Sequence, residues 1–173
     1  MQISEEQNVC DEQTYGTLFK SLAKPLRNFL IYKGSDHEQA NDIVQNTFIK
    51  LWENCKKVMP EKAKSYMYTL ASNAFKNEMA HLKVKLKYMQ SNADSTIVIE
   101  TPEFKMEEQE FKIKLENAIA TLPVTQREVF LMNRIEKKKY AEIAADLGVS
   151  VKAIEKRMGK ALKHLRKNIT NFK

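Results

Sequence analysis

The chain has 173 residues, 43% of them hydrophobic and 29% charged, with only four Gly and four Pro. That excludes a disordered polyelectrolyte, and so few turn formers argue against a β-sandwich and for helices, in one medium domain or two small ones. The net charge is +7, and all of the excess lies in one segment: residues 149–173 carry eight basic side chains against one acidic, while residues 1–148 carry 21 of each.

A single basic terminal segment is the electrostatic footprint of a polyanion binder, to be weighed against a plain solvated helix face. The opening MQISEEQNVCDEQ is acidic and polar, unlike a signal peptide, and no apolar run is long enough to cross a bilayer. A cytoplasmic protein without membrane insertion is expected. Cys10 and Cys55 have no CxxC or Cys/His spacing around them, so no metal site and two reduced thiols are expected.

Apolar residues Leu18, Phe19, Leu22, Leu26, Phe29 and Leu30 recur at helical spacing and predict a helix over 15–32. Gly34-Ser35-Asp36 marks a turn with caps for a second helix, whose stripe is Ala40, Ile43, Val44, Thr47, Phe48, Leu51 and Trp52. Pro60 interrupts a polar stretch, Glu53–Lys62. A third helix is predicted from about Ala63 to Tyr88, through Tyr66, Met67, Leu70, Ala71, Ala74, Phe75 and Met79. Residues 89–105 are rich in Ser, Asn, Asp, Thr and Pro and read as a flexible linker. Beyond it a second helical set begins near Glu107, with Phe111, Leu115, Ala118, Ile119 and Leu122. Thr125 and Glu128, three apart before Val129-Phe130-Leu131, read as a capping box.

The stretch YAEIAADLGVSVKAIEKRMGKALKHLR, residues 140–166, reads as a helix-turn-helix. Ala144 allows a close helix crossing, Gly148 supplies the left-handed turn, and Ser150 caps a second helix burying Ile154, Met158, Leu162 and Leu165. The polar face of that helix carries Lys152, Glu155, Lys156, Arg157, Lys160 and Lys163 as candidate DNA contacts. Residues near its start would reach base edges and later cations would reach phosphates. The alternative for the same residues is a structural helical hairpin with a solvated face.

Residues 122–166, with Leu-Pro, "REVF", "EIA…LGVS" and the ending "KAL…LR", resemble region four of bacterial sigma factors. HEQANDIVQNTFIKLW, residues 37–52, resembles the family's polymerase-docking helix, and AKSYMYTLASNAFKNEMAHL, residues 63–82, resembles its promoter-melting helix. The chain is similar to the small extracytoplasmic-function type. The resemblance implies an all-α fold of two small helical domains joined by a flexible linker: an extension 1–14, region two at 15–88, a linker 89–106, and a helix-turn-helix region four at 107–173.

It also implies core RNA polymerase, promoter DNA and an anti-sigma factor as partners, no cofactor, no small-molecule substrate and no catalysis. Carried over by position, Asp36, Glu38, Asp42, Gln45 and Asn46 would meet polymerase, with Lys50 nearby. Tyr66, Tyr68, Asn73 and Asn77 would meet the melted strand, whose unpaired bases need amide or aromatic partners. Tyr66 stands where the family usually has Trp, and Asn46 where it usually has Glu. Two other readings fit the residues: a helix-turn-helix regulator acting as a dimer on a palindrome, and a helical interaction protein without promoter specificity. His37, His81 and His164 are scattered and no nucleophile has an evident base.

Overall fold

The computed structural model describes residues 9–89 and 106–170, which contain seven α-helices and one 3₁₀ turn. The fold is all-α, as the periodicity predicts. The linker expected over 89–106 lies, apart from its two end residues, outside the described residues.

Helix α1 spans Glu12–Lys33; Asp11 caps it by accepting from the Thr14 amide at 2.8 Å. It ends at Gly34, whose φ of 110° is the left-handed conformation that glycine adopts without a Cβ penalty. The Gly34 and Ser35 amides close back onto the carbonyls of Ile31 and Leu30. Asp36 then caps α2 (His37–Glu53) through the Gln39 amide at 2.8 Å. The stripe Ala40, Ile43, Val44, Thr47, Phe48 and Leu51 is buried as expected. Trp52 is not: it is 49% exposed, because it lies one residue beyond Leu51 and a helix rotates it off the buried stripe. Phe19 of α1 is likewise 48% exposed, although its ring rests on Phe48 at 4.8 Å.

A 3₁₀ turn at Cys55–Lys57 leads into α3 (Pro60–Met89). Pro60 opens this helix rather than merely interrupting the stretch before it, since its missing N–H is no loss at a first helical position. Helices α1 to α3 enclose Leu26, Phe29, Leu30, Ile43, Leu51, Met67 and Tyr68.

The second set is α4 (Met106–Ala120), α5 (Val124–Arg134), α6 (Tyr140–Leu147) and α7 (Val151–Thr170). Val129, Met132, Ile143, Ile154, Met158, Ala161 and Leu165 are among its buried apolar residues, and they join those of α1 to α3 in one continuous core. The capping box expected at Thr125 and Glu128 does not form: Pro123 precedes the helix and no side chain caps it. Glu128 is drawn instead to a cation on α1, described below.

Cys10 and Cys55 are joined in a disulfide, with Cα atoms 5.0 Å apart, which corrects the expectation of two free thiols. The cause is local packing. Val9 is fully buried and pins the start of the chain beside the α2–α3 turn, where Cys55 is itself buried. A cross-link enclosing a loop of this size restricts the unfolded chain by about 4 kcal/mol in the chain-entropy treatment. Cys55→Ser is expected to lower unfolding stability by about 2–4 kcal/mol. Urea titrations check this, and dithiothreitol should reproduce the loss in the wild type while leaving the variant unchanged.

Candidate nucleic-acid interface

The helix-turn-helix is assembled by the residues the spacing singles out. Gly148 has φ 64° and ends α6, and the Val149 amide closes onto the Ala144 carbonyl at 3.0 Å. The Ser150 hydroxyl accepts from the Ala153 amide at 3.2 Å and starts α7. Burial of Ile154, Met158, Ala161 and Leu165 fixes the rotation of α7 and turns Lys152, Glu155, Lys156, Lys160 and Lys163 to solvent. Among the described residues no cation pairs with the Glu155 carboxylate. Arg157 departs from this face. It is half-buried, and its guanidinium lies 3.5 Å from Glu128.

On α2 the side chains of Glu38, Asp42, Gln45 and Asn46 are exposed, as is the cap residue Asp36. Three- and four-residue spacing continues their row into Ile49 and Trp52, which are 54% and 49% exposed. The result is a strip, acidic and amide-bearing at one end and apolar at the other. On α3 Asn73 and Asn77 are exposed and Tyr66 is half-buried. Tyr68 is 1% exposed, with its ring edge-on to Phe29 at 5.1 Å. Sequence spacing places these four residues on one helix; the structure brings Asn73 and Asn77 to one accessible side and sinks Tyr68 into the interior.

The two helical sets pack against each other through α1 with α5 and α3 with α6. Two charged networks cross the seam. In the first, Lys33 at the end of α1 is buried and donates to Glu128 at 2.8 Å, and Arg157 approaches the other oxygen of that carboxylate. Beside it Arg127 donates to the carbonyls of Tyr32 (2.8 Å) and Lys33 (2.9 Å), and to Ala120 within its own set (3.1 Å). A guanidinium there satisfies carbonyls that the helix leaves unpaired and sits at the negative end of its dipole.

In the second network Asp146 of α6 is buried and takes Lys64 of α3 at 2.6 Å and Lys138 at 3.1 Å. Lys138 also pairs with Glu136 at 2.7 Å and donates to the Tyr68 hydroxyl at 3.2 Å. Burial pushes the Tyr68 hydroxyl up to about 12, so it stays a neutral phenol in the physiological range. For Lys138 burial alone would disfavour the charge, but its bonds to Glu136, Tyr68 and Asp146 outweigh that and hold its pKa above the ordinary lysine value. A raised lysine pKa contributes stability that is fully present at neutral pH and is lost only as pH climbs through the alkaline range.

Between the networks lies a cleft of about 220 Å³, lined by Tyr68, Ser72 and Asn73 on one side and Glu128, Val149 and Arg157 on the other.

Comparison with known proteins matches these two sets separately. The sigma-70 region 2 family model covers residues 18–83, and the sigma-70 region 4 model covers residues 112–165. The chain belongs to the sigma-70 family, as a sigma factor of the extracytoplasmic-function type. It is 25% identical over 158 residues to the ferric citrate uptake sigma factor FecI of Escherichia coli K12, covering 87% of this chain and 88% of that one. It is 25% identical over 167 residues to the ECF RNA polymerase sigma factor RpoE of Cereibacter sphaeroides, covering 92% and 88%. Among solved structures it is similar in fold to the sigma factor RpoE of Bartonella quintana, captured with the anti-sigma factor NepR. The TM-score is 0.63 at 22% identity, over 93% of this chain and 99% of that one.

The function follows: a sigma factor directs RNA polymerase to specific promoters, as an initiation factor. No helix among the described residues of this sigma factor is long and apolar enough to cross a membrane.

Sequence reasoning missed Lys33, Arg127, Asp146 and Lys138 altogether and read Glu128 as a cap. Ile49 was also missed, although a lone apolar residue off the buried stripe is a detectable signal. Removing one partner of a buried charge network is costly, about 3 kcal/mol here because Asp146 keeps Lys64. Lys138→Met is therefore expected to destabilise by that amount, whereas Tyr68→Phe, which removes one hydroxyl, costs about 1 kcal/mol. Urea unfolding of both variants at pH 6.5 and 8.5 should give the same two values at each pH.

Proposed function

We propose that this sigma factor grips core RNA polymerase with the outer strip of α2, reads an upstream promoter element with α7, and holds an unpaired base with α3. Asp36, Glu38, Asp42, Gln45 and Asn46 supply the polar part of the polymerase contact, with Ile49 and Trp52 extending it. Lys152, Glu155 and Lys156 face base edges; Lys160 and Lys163 face phosphates, and Arg157 joins them once it leaves Glu128. Asn73 and Asn77 offer amides to a base taken from the stack, with Tyr66 beside them and Tyr68 behind. The working units are an extension 1–14, region two at 15–88, a linker 89–106 and region four at 107–173. The protein acts in the cytoplasm, needs no cofactor or metal and catalyses nothing itself. It is held in reserve by an anti-sigma partner, as the solved relatives crystallised with NepR and with the cytosolic domain of CnrY suggest.

The observation that carries this reading is the coexistence of two outward faces of opposite character, the acidic–apolar strip on α2 and the cationic face of α7. The test is co-purification with core polymerase followed by run-off transcription on genomic fragments. A transcript that needs both components supports the reading; binding of the free chain as a dimer to an isolated palindrome would replace it.

Asp42→Arg should weaken core binding at least tenfold without altering the fold, because it sets a wrong-sign charge into an interface while the side chain touches nothing buried. A pull-down titration against core polymerase, with circular dichroism as the control, measures it.

On α7 the two ends should behave differently. Glu155 pairs with no cation among the described residues and lies among lysines; a carboxylate there repels phosphate, so it is suited to accept from a base donor such as the cytosine amino group. Glu155→Ala should change preference at one or two promoter positions, by about 1–3 kcal/mol per base. Lys163→Ala should weaken all sequences alike and reduce the salt slope by about one. Selection from a promoter library at two salt concentrations separates these outcomes.

A further inference from the structure

Cys10 and Cys55, the two cysteines of the chain, tie the residue before the α1 cap to the turn that follows α2. The same two segments meet a second time. The Tyr15 hydroxyl donates to the Phe48 carbonyl at 2.9 Å, and the Tyr15 ring stands edge-on to Trp52 at 5.1 Å. Tyr15 lies five residues after Cys10, and Trp52 three residues before Cys55. The covalent bond and the aromatic contact therefore close one short circuit between α1 and α2. Val9, next to Cys10, is buried in the core, while Trp52 and Ile49 form the exposed apolar end of the α2 strip.

We propose that Cys10 and Cys55 are a reversible redox site that takes a dithiol reductant, and that its oxidised state holds Trp52 in place for core polymerase. This rests on the reading of the α2 strip as the polymerase contact. The compartment favours reversibility: in a cytoplasm kept reducing by thiol systems, the disulfides that do form are mostly transient and redox-sensing. Access favours it too. Cys10 is half-buried whereas Cys55 is 8% exposed, so an incoming thiolate meets the Cys10 sulfur first. The S–S bond breaks, a mixed disulfide forms at Cys10, and Cys55 leaves as a thiolate followed in sequence by the exposed cations Lys56 and Lys57. The second thiol of the reductant then displaces Cys10, giving two protein thiols and an oxidised, disulfide-bonded reductant. In reverse, one cysteine attacks hydrogen peroxide, becoming a sulfenic acid and releasing water. The other thiol displaces a second water from that sulfur and restores the bond.

With the tie cut, the start of α1 loses its covalent anchor, and helix ends are the parts that fray most readily. Trp52 then loses the fixed ring against which it stands. Polymerase must order both side chains on binding, which lowers affinity. Such coupling is reciprocal, so bound polymerase makes the bond harder to reduce by the same factor.

The test uses the full chain equilibrated in graded mixtures of reduced and oxidised dithiothreitol, with thiols trapped by a maleimide polymer and counted on a gel. Core polymerase affinity is titrated in each state. Trp52 is the single tryptophan, so acrylamide quenching reports its exposure alone. Cys10→Ser and Cys55→Ser supply two open states that no reductant can alter. Reduction should be reversible with the helical circular-dichroism signal retained, and quenching should rise. Core binding should weaken about fivefold, the low end of typical couplings, in the reduced wild type and both variants alike. Saturating core should protect the bond by the same factor.

A bond that stays closed in these mixtures while the chain is folded, or that hydrogen peroxide does not re-form, overturns the proposal. Quenching and core affinity that ignore reduction overturn it, as does tighter binding by the reduced chain. Loss of the helical signal in the reduced wild type and both serine variants overturns it as well, since the bond is then a structural staple. If neither state binds core polymerase, the polymerase reading fails, and the redox site stands or falls on reversible opening and the change in Trp52 quenching.

Discussion

The last turn of α1 is one of the two places where the halves of the chain meet, and the constraint that makes it so is the set of carbonyls a helix leaves unpaired at its end. Gly34 turns the chain away in a left-handed conformation, and the Tyr32 and Lys33 carbonyls are then taken by Arg127. With Arg127 in place its neighbour Glu128 points into the seam, where the Lys33 ammonium reaches it from over the rings of Phe29 and Phe75. The orientation of α5 follows from these contacts, and α6 and α7 follow from their packing on α5. A helix terminus in one half thus sets how the reading helix of the other half is presented.

This arrangement gives one pair of adjacent residues a different task from its neighbours on the same helix. Val129, Phe130 and Met132 of α5 are buried in the apolar core, while Arg127 and Glu128 turn to α1. Glu128 is 4% exposed, and a carboxylate that deep is tolerable only because both of its oxygens meet cations. Asp146 is equally deep and equally dependent on Lys64 and Lys138. The buried apolar residues of both halves form one continuous cluster, and the two charge networks add directional contacts that fix one relative placement.

How far the sequence discloses this depends on the range over which the signal acts. The helix-turn-helix was legible because its determinants are local: Gly148 and Ser150 two residues apart, and a buried stripe at three- and four-residue spacing. The Gly34–Asp36 junction was legible for the same reason. The seam was not, because Lys33 and Glu128 are 95 residues apart and Tyr68 and Lys138 are 70 apart, and a charge looks the same in sequence whether its partner is water or a buried carboxylate. Glu128 was mistaken for a cap because its spacing from Thr125 satisfies the capping rule; tertiary pairing prevailed over that local option. The Cys10–Cys55 bond escaped for a similar reason, since its two cysteines are 45 residues apart and no local motif surrounds either.

Arg157 shows how local and long-range signals combine at one residue. By spacing it is one of six polar positions on a basic helix, and nothing in the sequence separates it from Lys156 or Lys160. Rotation does: with Ile154, Met158 and Ala161 buried, position 157 falls at the boundary of the buried stripe, on the side toward α1 and α3. A lysine there could satisfy Glu128 as a point charge, but a guanidinium presents several donors in a rigid fork and can hold a carboxylate in one state and a phosphate in another with the same geometry. Arginine at the edge of the buried stripe is therefore suited to a residue that changes partners, while Lys160 and Lys163 beyond it are exposed and make no such contact inward.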